Sequence, residues 1–368
     1  MTELKEVKEY GKFKVKHRYS KKALKRRAMF KAIRNTFLFT EVIVLAVLFF
    51  LYIWLRSYEA STPYGAFSNY LELLANKDFD TIYDNYSTIF PQFNTREDYV
   101  NYLENMYGYV DFSQVTFEQQ DYSDESFIYY NLDYNGTTIS TVELCRDDEG
   151  VWQARTTSSL STYTFETVDT NAKFYCNKIL IDDLYLRNET DCIYSFYNLH
   201  NLDDCLNTNK YVVEGFVKDP VVSTDTGYAA VKVALKNYIS VGYEPNAEEK
   251  ELYSGLIENV ATAYSRYISE DGTFYNLRIQ LHPDTEFYDA ISSFDNSWFS
   301  THDSYEFANM NIYDLVKLDD DTFMGSIEFD YIVKIYATEK TSTYHNIYQL
   351  CFKKVNDTYL CTNLITAN

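Results

Sequence analysis

YEFANMNIYDLVKLDDDTFMGSIEFDYIVKIYATEKTSTYHNIYQLCFKKVNDTYLCTNLIT, residues 305–366, is a series of long alternating segments cut by short polar clusters. Alternation of apolar and polar residues with a period of two marks half-buried β-strands. The stretch therefore predicts strands over Tyr305 to Leu318, Thr322 to Thr338, Thr343 to Val355 and Thr358 to Thr366. Asp319-Asp320-Asp321 and Asn356-Asp357 supply turns, because short polar side chains bond to their own backbone and tolerate left-handed φ. Strands joined this briefly pair antiparallel, which makes a meander.

Upstream of the meander the period becomes helical. Asn246-x-x-Glu249 has capping-box spacing and opens a stripe of Leu252, Leu256, Val260, Ala263 and Tyr267. A helix entered at Pro283 is expected next, carrying Phe287, Ile291 and Phe294. The same order occurs earlier in the chain. Helical stripes run through Phe67, Tyr70, Leu71 and Leu74, then Phe79, Ile82, Tyr83 and Tyr86, and Asn94-x-x-Glu97 caps a third through Tyr99, Leu103 and Tyr107. Strands follow at Val115 to Asp121, Ser126 to Tyr134, Thr137 to Leu144 and Val151 to Arg155, with turns at Asn135-Gly136 and Asp148-Glu149-Gly150.

Between the two patterns, residues 160–243 hold short β-rich runs: Tyr163 to Val168, Lys173 to Cys176, Tyr211 to Val217 and Ala229 to Tyr238. The expected class is α+β, with helix-then-meander domains at 57–158 and 244–368 flanking a small β domain at 160–243.

A different signal stands at the N-terminus. Thr36 to Leu55 (TFLFTEVIVLAVLFFLYIWL) is an apolar run whose one charge is Glu41. About 20 helical residues span the ~30 Å hydrocarbon core of a bilayer. The run is longer than a signal-peptide core and no small-x-small cleavage site follows, so an uncleaved signal-anchor over 36–55 is expected. Ser57 to Pro63 reads as a linker. Residues 1–35 carry thirteen Lys and Arg against Glu3, Glu6 and Glu9, a net +10, so the expected orientation keeps this tail in the cytoplasm and places the C-terminal domains outside. Lys21, Lys22, Lys25, Arg26 and Arg27 are candidates for contact with anionic lipid headgroups.

The whole chain is −21, which leaves −31 for residues 36–368. Such an exterior repels nucleic acid and other polyanions. Its 37 Tyr and 25 Phe supply apolar area in place of aliphatic residues.

The six cysteines (145, 176, 192, 205, 351 and 361) all follow the anchor, and none is spaced as a metal-binding C-x-x-C. Cys351 and Cys361 flank the Asn356-Asp357 turn and form a candidate disulfide, whereas the pairing of Cys176, Cys192 and Cys205 stays open. No nucleophile elbow, zinc-protease, phosphate-loop or dinucleotide fingerprint occurs, so no catalytic residue, cofactor or metal is expected. His302 and His345 are strand or surface residues and candidates for the rim of the last domain. The Asp run at 319–321 reads as a turn in preference to a calcium loop.

Tyr70-Leu71-Glu72-Leu73-Leu74 with Lys77-Asp78-Phe79, the hairpin Asp148-Glu149-Gly150-Val151-Trp152 and its second copy Phe352-Lys353-Lys354-Val355-Asn356-Asp357-Thr358-Tyr359 resemble the NTF2-like fold, a cone whose curved sheet wraps a helix. The layout of basic tail, anchor and tandem cones resembles envelope proteins of Gram-positive bacteria like the teicoplanin-resistance-associated membrane protein. Those proteins carry an N-terminal zinc ribbon, and this tail has no cysteine. The resemblance implies a non-enzymatic, membrane-anchored envelope protein that binds or scaffolds a cell-wall component, another envelope protein or itself. Two other readings are carried. One is a transmembrane sensor. The other is an isomerase- or hydrolase-like second cone, because enzymes of the NTF2-like family pair an Asp base with a Tyr; Asp330, Tyr331 and Tyr336 are the candidate pocket residues for it.

Overall fold

The computed structural model describes residues 21–86, 93–123, 126–294 and 301–367. The chain divides into two compact units, Met1–Ser68 and Asn69–Asn368. The expected tail falls largely on residues 1–20, outside the described residues.

The first unit is dominated by α1 (Lys21–Ala60), a 40-residue helix. At 1.5 Å per residue it is about 60 Å long, roughly twice the thickness of a bilayer core. The apolar side chains from Phe37 to Leu55 are exposed throughout. Among the described residues α1 is the one helix long and apolar enough to cross a membrane. The helix extends beyond the expected 36–55 at both ends: Lys21 to Asn35 are helical, and so are the first residues of the expected linker, to Ala60. The break comes at Ser61-Thr62, where Thr62 Oγ1 accepts the Gly65 N–H at 3.1 Å. Helix α2 (Pro63–Ala75) starts on proline, whose missing N–H costs nothing in a first turn.

In the second unit, α3 (Phe79–Tyr86) and α4 (Arg96–Tyr107) precede a four-stranded antiparallel sheet of β1 (Thr116–Gln119), β2 (Ile128–Tyr134), β3 (Thr137–Arg146) and β4 (Trp152–Thr156), paired in sequence order. Buried tyrosines fasten helices to sheet. Tyr107 donates to Ser140 Oγ at 2.6 Å, and both Tyr70 and Tyr107 hydroxyls lie 2.7 Å from Thr156 Oγ1. The cap of α4 is Thr95, not Asn94 as the spacing suggested. Asn94 is buried and pairs instead like a peptide unit, donating to Gly215 O at 2.8 Å and accepting from Val217 N at 3.1 Å. A side chain with a donor and an acceptor two bonds apart satisfies a strand end that has no neighbour.

Residues 160–243 contribute β5 (Ser161–Thr167), β6 (Phe174–Cys176), β7 (Ile179–Leu180), β8 (Leu186–Cys192), β9 (Asn207–Phe216), β10 (Val222–Thr224), β11 (Tyr228–Lys232) and β12 (Tyr238–Tyr243). The last segment adds α5 (Ala247–Ile268), α6 (Phe274–Arg278), α7 (Glu286–Ser292), β13 (Ser304–Lys317), β14 (Thr322–Ile335), β15 (Lys340–Val355) and β16 (Thr358–Thr366).

The middle segment is not separate from the last one. One nine-stranded sheet runs β16-β15-β14-β13-β12-β5-β9-β8, with β11 on β12. The join is narrow: β12 meets β13 only at Tyr243 opposite Lys317. Gly242 permits it, because a Cβ there would stand 2.3 Å from Lys317 O. One face of the 160–243 strands packs Tyr163, Phe165, Val213 and Val241 together. The other packs Ile193, Phe196, Val231 and Val233 against Met324 and Cys351 of the last meander. Gln349 crosses between the layers, accepting from Ala234 N at 2.9 Å and donating to Lys232 O at 2.8 Å.

In the last segment the expected stripe meets the core except at its start: Val260 is buried, and Leu256, Ala263 and Tyr267 are partly buried against the same cluster. Tyr253, Ile257, Val260 and Ala261 are buried, whereas Leu252 is 51% exposed. Tyr253 enters the sheet as part of a ring stack, and that contact outweighs burial of Leu252. Helix α7 begins at Glu286 behind the cap Thr285, three residues after the expected proline. The capping box at Asn246 and Glu249 forms in both directions, each bond 2.9 Å. Asn246→Ala is expected to lower stability by about 1 kcal/mol, read as a shift of the urea midpoint at unchanged slope.

The cysteines pair differently from the candidate disulfide. Cys192 and Cys205 are bridged, closing the 193–204 loop. Cys351 and Cys361 are free and buried. A bulge after Cys351 sets Phe352, not Cys351, opposite Cys361. With a side-chain period of two, Cys361 faces the α5 core and Cys351 the middle layer, so the thiols lie on opposite faces of the sheet.

Candidate functional site

Helix α5 runs across the inner face of β13 to β16, and the interior it covers is filled. Tyr253, Phe323 and Phe352 form a continuous stack with centroids 3.8 and 4.6 Å apart, and Tyr359 meets Phe323 edge-on at 5.2 Å. Ile257, Phe329, Tyr348 and Leu350 fill the adjoining volume. Among the described residues the interior of the last meander at this level is filled by side chains.

Asp330, Tyr331 and Tyr336 are not brought together. Successive residues of β14 point to opposite faces, so Tyr331 enters the core while Asp330 stands on the outer face. There Asp330 accepts from Asn309 Nδ2 at 2.7 Å and meets His345 Nδ1 at 3.0 Å, and the Asn309 bond, with His345 second, lowers its pKa. Tyr336 lies in a short 3-10 turn and is 67% exposed.

The partner of Tyr331 is Asp271. Asp271 Oδ2 accepts from the Tyr331 hydroxyl, from Ser269 Oγ at 2.9 Å and from His302 Nε2 at 2.8 Å. Burial, and then the neighbouring Asp271, push the Tyr331 hydroxyl well above its ordinary pKa, so it remains a donor. Asp271 Oδ1 accepts no hydrogen bond among the described residues. Asp271 borders an open groove of about 900 Å³ between the second half of α5, residues 271–280 and β13. Arg266 spans the groove wall with its guanidinium 5.9 Å from the Tyr305 ring and 5.5 Å from that of Phe307. Gly272 lets the chain turn back on α5, since a Cβ there would lie 2.9 Å from Arg266 Cβ.

In the sequence His302 is a rim candidate, whereas Ser269, Asp271 and Arg266 carry no functional motif. The available signal was the polar run Ser269-Glu270-Asp271-Gly272-Thr273 at a helix end. Such a run reads first as a stop signal.

A second groove of about 990 Å³ opens beside β3, β4 and β9, with Glu143, Cys145, Trp152, Arg155 and Glu214 among its lining. Arg155 donates through Nε and Nη2 to Glu143 Oε1 at 3.0 and 2.7 Å, with both side chains about one-tenth exposed or less. Burial pushes the Cys145 thiol up to about 11, so it is protonated and unreactive near neutrality. Among the described residues no cluster of His, Cys, Asp and Glu could hold a metal ion. The acidic turn is a turn: Asp319 Oδ1 accepts from Asp321 N at 2.9 Å and Thr322 Oγ1 at 2.6 Å.

No family profile matches the chain, and no curated protein does. Among solved structures, an Ntf2-like protein involved in plasmid conjugation is a distant neighbour, aligned over 68% of this chain and 75% of its own at 11% identity and a TM-score of 0.22. The association domain of C. elegans CaMKII aligns over 33% of this chain and 100% of its own, at 10% identity and a TM-score of 0.25.

Proposed function

We propose that this is a non-enzymatic, single-pass membrane protein of a Gram-positive-type cell envelope, with its N-terminus in the cytoplasm. Its acidic outward domains, two NTF2-like units and the β layer between them, bind or scaffold a cell-wall component or another envelope protein. The observation that supports binding over catalysis is the filled interior: among the described residues the Tyr253-Phe323-Phe352 stack occupies the inner face of the last meander, and the space bordered by Asp271 and Arg266 is an open groove. The exposed apolar length of α1, set between a +10 tail and a −31 remainder, supports the location. Lys22, Lys25, Arg26 and Arg27 are exposed on the first turns of α1, where they would meet anionic headgroups; the Lys21 side chain lies outside the described residues.

Alkaline washing of membranes should leave the full chain in the pellet, and removal of residues 36–55 should transfer it to the supernatant. Protease applied to intact cells should take a C-terminal tag and spare an N-terminal one; the reverse pattern overturns the orientation. Purified full chain in micelles should be retained saturably on protein-free wall material without releasing fragments. Release of soluble glycan or peptide would sink the non-enzymatic reading.

A further inference from the structure

We propose that the groove between α5, residues 271–280 and β13 is a saccharide site, and that it takes a glycan carrying carboxylates on otherwise neutral sugar rings. The proposal rests on the wall-binding reading above and names the ligand class within it.

The first support is Arg266. Its guanidinium lies over Tyr305 and Phe307, and it makes no ion pair with a carboxylate among the described residues. Within the groove lining it is the charged donor held against two rings, with its N–H groups not engaged by a carboxylate among the described residues. The ring faces hold the planar fork in place, and that fork matches a carboxylate through two parallel N–H donors. One such cation suits single carboxylates spaced along a neutral chain, whereas the surrounding acidity repels a dense polyanion.

The second support is Asp271. Tyr331, Ser269 and His302 hold its Oδ2, Oδ1 accepts no hydrogen bond among the described residues, and Asp271 lines the groove. A rigid acceptor is suited to a sugar hydroxyl or an acetamido N–H, because little freedom is lost when the bond forms. Besides the acids Glu258 and Asp271, the groove is lined by the neutral amides and hydroxyls of Asn259, Asn276, Gln280 and Thr273. These groups exchange hydrogen bonds with hydroxyl-rich rings in either direction. The Tyr305 ring, 38% exposed, adds apolar surface to the groove wall beside the guanidinium it supports. A volume of about 900 Å³ falls in the size range of small-ligand sites, and the open form admits a chain passing through.

The test is titration of the full chain in micelles with two probes of equal length. One is an oligosaccharide of alternating N-acetylglucosamine and N-acetylmuramic acid; the other is chito-oligosaccharide, which lacks the carboxylate. The native chain should bind the carboxylated probe at least about 10-fold more tightly, the scale of one charge-assisted hydrogen-bonded pair. Arg266→Gln should lower affinity for the carboxylated probe by about 10-fold and so abolish that preference, while Tyr305→Ala should weaken both probes. Arg266 and Tyr305 are both exposed, so circular dichroism and the urea midpoint should match the native chain. Equal affinity of the native chain for both probes, or an undiminished preference in Arg266→Gln, overturns the proposal. If Arg266→Gln still sediments at native strength with wall glycan stripped of its stem peptides, which exposes the muramic carboxylates, the groove assignment falls and the wall-binding reading stands. If the native chain itself fails to sediment, the wall-component reading fails with it.

Discussion

Replacing Phe323 by alanine is expected to cost about 3–5 kcal/mol, the usual range for deleting a buried phenylalanine. Phe323 is fully buried and is the middle ring of three, clasped between Tyr253 of α5 at 3.8 Å and Phe352 of β15 at 4.6 Å. Removing the central ring leaves a void bounded by two aromatic faces that belong to a helix and a sheet. Neither can close it without moving the whole element, so relaxation is limited and the cavity term remains. Domains are commonly stable by only ~5–15 kcal/mol, so a loss of this size should bring the urea midpoint down sharply. Phe323→Leu, which keeps most of the volume, should cost clearly less. A loss below about 1 kcal/mol in the alanine variant would show that the stack does not hold helix to sheet.

Glu166→Gln is expected to remove about 3 kcal/mol of pH-dependent destabilisation near neutrality. Glu166 is completely buried on β5, accepting from Ser240 Oγ at 2.7 Å and from Tyr194 N at 3.1 Å. Burial pushes its carboxyl up to about 7 from an ordinary 4.5, against the smaller pull of those two hydrogen bonds. Because the folded pKa is the higher one, the folded state keeps a proton that the unfolded state gives up. The stabilising contribution is therefore complete below the unfolded value and is lost as pH rises from about 4.5 to about 7. Glutamine is neutral across the range. It can present its oxygen to Tyr194 N–H and its amide to Ser240 Oγ. Stability of the native chain should fall through that window more steeply than that of Glu166→Gln, measured by urea unfolding at several pH values. Parallel pH profiles would place the proton elsewhere.

The candidate site was far less legible than the fold. The strands at 322 and 358 begin where alternation and turn chemistry put them, and the Asn246 capping box forms as its spacing indicates. These features depend on residues within a few positions of one another. Asn94 shows where local reading fails. Its spacing to Glu97 fits a cap, yet its amide is used 121 and 123 residues away, at Gly215 and Val217. Tyr331 is a second case: beside Asp330 in sequence, it pairs with Asp271, 60 residues earlier. Alternation along β14 already forbade Tyr331 and Asp330 from sharing a pocket, but only the approach of the α5 end to the sheet supplied Asp271.

The amino-acid sequence by itself determined a basic N-terminal segment, one apolar helix, an acidic remainder and a twice-repeated order of helices followed by an antiparallel meander. Periodicity and charge are one-dimensional properties, and they survive any folding of the chain. The tertiary structure alone decided that residues 160–243 share a sheet with the last meander, that Cys192 pairs with Cys205 while Cys351 and Cys361 face apart, and that α5 turns Tyr253 inward in place of Leu252. The reason is common to all of them: each depends on which face is covered by a segment remote in sequence, and burial is set by that cover and not by the local pattern.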